Sequence, residues 1–296
     1  MSGRDSFQPY AETRLASEDR KRALAAQHSP RQNRLLAALP AEDYERLWPA
    51  LEPVPLPLGW TVHYAGDQDK YLYFLTAGIV SKSYVTANGA STEFAVIGNE
   101  GAIGVASILG GESMLNQAVV LSAGYAYRLG AEWLKNKLKH HDQLLRLLLR
   151  YTQALIVQTG QIAACNRHHS VEQQLCRWIL SSLDRSASND LPLTQELIAV
   201  CLGVRRESVT EAAGRLQRAG LIHYRRGHIA VRDRPLLEAQ ACECYAVVKR
   251  EYGRLLPREK SIGNDGGHAL EVHDTYRSSV IRSRRQSVTF AEGVPA

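Results

Sequence analysis

No cysteine occurs before Cys165 in this 296-residue chain, and the five in all, Cys165 included, are an odd number. That argues against a disulfide framework and for a reducing compartment, with the cytoplasm expected. No apolar run is fit to cross a membrane: the longest, residues 144–157, is interrupted by Arg146 and Arg150. The N-terminus also lacks the charged-then-apolar pattern of an export signal. No arginine lies between residues 47 and 127, so that stretch offers no guanidinium to a phosphate. A nucleophile, a base and an orienting group at motif spacing are lacking too, and His63 stands isolated. No enzyme is therefore expected, and no metal or cofactor is assigned.

With 45% hydrophobic and 22% charged residues the chain can bury a normal core, and its length fits two modest domains with ragged ends. A formal net charge of +6 and a pI near 9.1 favour an anionic partner.

Residues 193–231, LTQELIAVCLGVRRESVTEAAGRLQRAGLIHYRRGHIAV, have the spacing of a helix-turn-helix followed by a two-stranded wing. Thr194 can cap a first helix through Leu202, Gly203 suits a positive φ at the sharp turn, and a second helix runs from Arg206 to about Ala219. Gly220 closes it. Leu197, Ile198, Leu202, Val204, Val209, Ala212, Ala213 and Leu216 recur at helical spacing and predict one shared core, with small Ala199 at the crossing. Left outward are Arg205, Arg206, Glu207, Ser208, Thr210 and Glu211, at the helix end that such motifs present to base edges. Arg206 can pair bidentately with guanine O6 and N7, and Glu207 can accept from cytosine N4. In HYRRGHIAVR the turn Arg225-Arg226-Gly227 carries two cations that suit a phosphate backbone. Across residues 193–232 seven arginines face three glutamates.

Residues 194–231 resemble the DNA-binding domain of the Crp/Fnr family of bacterial transcription regulators, above all in Arg206-Glu207-Ser208-Val209. The resemblance implies an α+β chain: a double-stranded β-helix or jelly-roll barrel, a long dimerisation helix and a C-terminal winged helix-turn-helix. The expected divisions are a disordered arm over residues 1–28 and a cyclic-nucleotide-binding-like sensory barrel over 29–130. A dimerisation helix follows over 131–164, the DNA-binding domain over 165–256 and a disordered tail over 257–296. Double-stranded DNA, a second copy of the chain and RNA polymerase are the partners so implied, with no membrane. Arg205, Arg206, Glu207, Thr210 and Glu211 fall on the base-reading side, and Ser208, Arg225 and Arg226 on the phosphate side.

The β texture lies between Trp60 and Leu129: WTVHY, KYLYFLTAG, IVSKSYV, TEFAVIG, QAVVL and YAYRL, with Asn88-Gly89 as a hairpin turn. Family members that bind cyclic AMP use a Gly-Glu-Leu-Gly turn and a following Arg-Ser or Arg-Thr pair. Here the turn is Gly101-Ala102-Ile103-Gly104, and Asn116-Gln117 stand near the place of the pair. Cyclic AMP is therefore not expected to bind.

Before the barrel, Leu35, Leu36, Leu39, Tyr44, Leu47 and Trp48 predict two short helices split at Pro40, and residues 53–59, with three prolines, fit irregular or edge chain. After it, Leu144, Leu148, Tyr151, Leu155, Gln158 and Ile162 step as a heptad seam, read as the dimer interface. The alternative is a stripe packed on the chain's own barrel; Leu145, Leu147, Leu149 and Ile156 are the second apolar face that leaves the seam for a partner. Cys165, His168 and His169 would share a helix face, yet three ligands in one turn rarely close a tetrahedral site. Cys242 and Cys244, two apart on a single expected helix over residues 236–255, would point in nearly opposite directions, which argues against a shared metal. Arg282, Arg284 and Arg285 of the tail read as a solvated run. Glu211 stands where family members that read TGTGA carry an arginine, so a different half-site is expected. The competing reading is a small-ligand or redox-sensing module whose helix-turn-helix contacts protein rather than DNA.

Overall fold

A computed structural model describes residues 28–256 apart from 112, 139–141 and 187. The arm and tail expected at the two ends, with Arg282, Arg284 and Arg285, lie outside the described residues. The chain enters through α1 (Arg34–Ala37) and α2 (Ala41–Leu47), divided at Pro40 as the sequence predicts. Fully buried Asn33 pins this entry: its carboxamide oxygen accepts from the Leu35 and Leu36 amides, and its Nδ2 donates to the carbonyls of Leu75 and Gly101, each at 2.8 Å.

Six antiparallel strands follow: β1 (Glu52–Leu56), β2 (Thr61–His63), β3 (Tyr71–Val85), β4 (Ser91–Ile97), β5 (Ala102–Ile103) and β6 (Gln117–Gly130). Their order is β1-β6-β3-β4, with β2 paired to β6 and β5 to β3. The expected barrel is thus a bent sheet that does not close among the described residues. Pro53 and Pro55 sit in β1, at an edge, where a missing N–H leaves no gap in a central ladder. KYLYFLTAG and IVSKSYV, which read as two strands, are one 15-residue strand, and QAVVL and YAYRL join into β6. The cause is a pair of glycines that kink the ladder without ending it. Gly78 has φ +91, and a Cβ on Gly124 would sit 2.1 Å from the Ala77 carbonyl oxygen, so the strands cross too closely for a side chain.

After the short α3 (Val105–Ile108), the described part of the stretch expected as a helix over 131–164 comprises α4 (Ala131–Leu138) and the 27-residue α5 (Asp142–His168). The heptad seam on α5 faces the opposite way from the expected one. Leu144, Leu148, Tyr151, Gln158 and Ile162 are buried within the chain itself and Leu155 is half-buried. Tyr151 donates to the Ala102 carbonyl at 2.9 Å and Gln158 to the Val96 carbonyl at 3.1 Å, so the polar members of the seam anchor α5 to the β sheet. Leu149 and Ile156, expected against the barrel, are instead 50% and 60% exposed. The seam is a stripe packed on the chain's own sheet, as the alternative reading had it.

The C-terminal part begins with α6 (Val171–Leu183), opened by a Ser170/Gln173 capping box. Next come β7 (Asp190–Leu191), α7 (Gln195–Leu202), α8 (Arg206–Arg218), β8 (Ile222–Arg225) and β9 (His228–Val231). The wing is three-stranded in the order β7-β9-β8, one strand more than expected, because Asp190–Leu191 of the preceding polar loop pairs with β9. The final helix is broken in two, α9 (Arg234–Gln240) and α10 (Glu243–Leu255), with Ala241 and Cys242 extended between them. α10 runs back antiparallel along α5, and Tyr252 donates to Gln158 Oε1 at 2.7 Å.

Candidate nucleic-acid interface

Thr194 caps α7 by accepting from the Leu197 amide, and Gly203 ends it at φ 67 in the left-handed region, as its place in the sequence predicts. Val209, Ala212, Ala213 and Leu216 of α8 are buried against Ile198, Ala199 and Leu202 of α7 and against Trp178 and Ile179 of α6. Arg205, Arg206, Glu207, Thr210 and Glu211 are all exposed, and Ser208 is half-buried. Two of these are held by the first helix: Thr210 donates to Gln195 Oε1 at 2.8 Å, and Arg206 lies 3.9 Å from Glu196. The Arg206–Glu196 pair is open to solvent, so an incoming acceptor can displace the carboxylate at small cost.

In the wing, Arg225 and Arg226 are exposed and Arg226 has φ +48, followed by Gly227 at +79. Two successive positive φ values make the tight hairpin turn that usually takes Asn-Gly. The arginine accepts this cost at the tip, where its side chain is free to reach outward.

Residues 173–240 match the Crp-like helix-turn-helix domain, and residues 53–141 the cyclic nucleotide-binding domain. The chain belongs to the Crp/Fnr family. It is 25% identical over 183 residues to the global nitrogen regulator of Synechococcus elongatus, a match covering 58% of this chain and 82% of that one. To the global nitrogen regulator of Synechocystis it is 26% identical over 189 residues, covering 61% and 84%. The structure of FixK2 from Bradyrhizobium japonicum shares the fold with a TM-score of 0.56 at 16% identity, over 65% of this chain and 98% of that one. A Crp-family transcriptional regulator from Thermus thermophilus does so with 0.54 at 19%, over 64% and 96%.

This Crp/Fnr regulator is a helix-turn-helix transcription regulator whose reading head is docked on its β domain. A Cβ on Gly203, at the turn of the motif, would lie 2.9 Å from Thr92 Oγ1 of β4. Beside it, Glu93 is wholly buried, accepting from Ser81 at 2.6 Å and from the Trp178 indole at 2.9 Å. Burial pushes its carboxyl up to about 7, against the pull of those donors and of nearby Arg177. A second carboxylate, Glu100, takes a 2.6 Å hydrogen bond from Arg185 just after α6, with both side chains buried. Sequence reading missed both Glu93 and Glu100, because Trp178 and Arg185 each lie 85 residues away from them in the chain.

Inside the β domain His63 is not isolated: its Nδ1 lies 3.2 Å from Asp69 and its Nε2 3.3 Å from Asn116. Gln117, the other residue at the expected phosphate-binding place, donates to Ser83 at 3.2 Å. Lys82 is buried above the Phe94 ring, and burial lowers its ammonium pKa while Asp69 works the other way. Ala102 is buried, and a Cβ on Gly101 would sit 2.6 Å from the Tyr151 ring, so that turn is packed directly against α5.

Proposed function

We propose that this regulator binds an inverted-repeat operator as a homodimer, with Arg206 and Glu207 reading base edges in the major groove. Arg205, Thr210 and Glu211 flank them, and Ser208, Arg225 and Arg226 meet phosphates. The observation that carries this reading is the exposure of Arg205, Arg206, Glu207, Thr210 and Glu211 at one end of a helix whose other face is fully buried. That arrangement leaves the charged end free to enter a groove while the scaffold stays rigid.

The dimer seam in this proposal is the outward face of α5. Leu145, Leu149, Thr152, Ile156, Thr159 and Ala163 repeat the heptad spacing, with Gly160 beside them, and Leu149 and Ile156 are the large exposed apolar members. A second copy of α5 would cover them and set two recognition helices one DNA turn apart, about 34 Å. RNA polymerase is the further partner proposed. The effector, in this reading, is not cyclic AMP: Ala102 offers no carboxylate to a ribose, and Asn116 and Gln117 offer no cation to a phosphate.

Selection of duplexes from a random pool by the full chain tests the proposal. A two-fold symmetric consensus is expected, and Arg206→Ala should cost about 1 to 3 kcal/mol and relax one base position in each half-site. A pool without consensus, or unchanged binding by that variant, refutes it. Affinity for the selected duplex should fall steeply with salt, which a protein-docking helix-turn-helix would not show.

A further inference from the structure

The break between α9 and α10 brings together four side chains that the function above does not use. Cys165 and His169, one helical turn apart at the end of α5, meet Cys242 and Cys244, which flank the start of α10. Their four donor atoms all lie within 4.8 Å of one another. Cys165 Sγ is 3.5 Å from Cys242 Sγ, and Cys244 Sγ is 3.6 Å from His169 Nδ1. Because Cys242 is extended rather than helical, the two thiols do not diverge as they would on one continuous helix. His168 is exposed and takes no part.

We infer that Cys165, His169, Cys242 and Cys244 form a tetrahedral site for one divalent metal ion of the zinc class. A metal–sulfur bond of about 2.3 Å in a tetrahedron sets neighbouring sulfurs about 3.8 Å apart, and a metal–nitrogen bond of about 2.0 Å makes the mixed edge slightly shorter. The two closest approaches fall on those edges. Three soft thiolates with one imidazole select zinc-like ions over oxygen-seeking ones.

The surroundings match as well. His169 turns its other nitrogen to Glu243, 3.3 Å from Nε2, which fixes the tautomer that leaves Nδ1 free to donate its lone pair. The His169 carbonyl accepts from Gln174 Nε2 at 2.9 Å, holding the ring's backbone in place. Three thiolates around a divalent ion leave one net negative charge, and buried Arg177, whose Nε is 3.3 Å from Cys165 Sγ, carries the compensating positive one. All three cysteines are buried, so a bound ion would be closed off from water as structural sites are. Binding would release the thiol protons to solvent and clamp the end of α5 to the last helix.

The test is a Co2+ titration of the reduced, tag-free full chain, followed by Zn2+ competition. One Co2+ per chain is expected, with the intense visible bands of a tetrahedral thiolate site, bleached by one equivalent of Zn2+. Cys244→Ser and His169→Ala should each weaken Co2+ binding at least tenfold, whereas Cys176→Ser, at a buried cysteine outside the cluster, should leave it unchanged. Where a variant does not fold, the titration of the unaltered chain decides alone. The weak bands of an octahedral ion, no binding at micromolar Co2+, or purification with iron and acid-labile sulfide would each overturn the inference.

Discussion

Replacing Glu93 by glutamine isolates the electrostatic cost of holding a carboxyl between the β domain and the reading head. The carboxyl is wholly buried and pushed up to about 7 from its ordinary 4.5, so at pH 8 the folded protein carries a carboxylate that costs more to ionise there than in the unfolded chain. At about 1.4 kcal/mol per pH unit, that is a penalty of about 3 kcal/mol. The sign follows from proton counting: between pH 4.5 and 7 the folded state holds a proton the unfolded chain has lost, so stability falls as pH rises through that window and is level above it. Glutamine is permanently neutral. It can still accept from the Trp178 indole through its oxygen and donate to Ser81 through its amide. Urea unfolding followed at pH 4.5 and pH 8 checks the reasoning. Glu93→Gln should match the parent at the lower pH and exceed it by about 3 kcal/mol at the higher. The same stability difference at both pH values would refute the argument.

Arg185→Ala leaves Glu100 buried without its cation and should cost about 3 to 5 kcal/mol, read as a lower denaturation midpoint. On the outward face of α5, Ile156→Asp should raise the dissociation constant of a dimer at least tenfold by sedimentation while leaving the fold intact, since the side chain is 60% exposed. In the wing, Arg226→Asn should keep the hairpin, because asparagine tolerates the positive φ, and should lower the magnitude of the slope of log K against log salt by about 2 for the dimer, about 1 per half-site, if the guanidinium meets a phosphate.

The helix-turn-helix was legible because its signals are local: Thr194, Gly203, Gly220 and the apolar spacing lie within a few turns of one another. The same holds for the Pro40 split. Reading failed where a choice depends on what lies opposite. α5 carries two apolar stripes, and periodicity does not say which one the sheet will cover; Tyr151 and Gln158, with polar ends that find Ala102 and Val96, settle it only in three dimensions. The runs on either side of Gly78 and of Gly124 read as separate strands until the two long strands are laid side by side. The cysteine cluster was hidden by a helix break at Ala241-Cys242 that no glycine or proline announces.

The last helix changes how a signal can travel. α10 leaves the DNA-reading half, runs back along α5 and delivers its end to the entry of the β domain, where Arg34 donates to the Leu256 carbonyl. Once its docking on the β domain at Thr92, Glu93 and Glu100 is released, the head hangs from two chain connections, the His169-Ser170 junction and α10. A body hung from one joint sweeps a cone, but one hung from two turns only about the line between them. Any repositioning over DNA must then be a rotation about that line, or a slide of α10 that exchanges the partner of Tyr252 on Gln158.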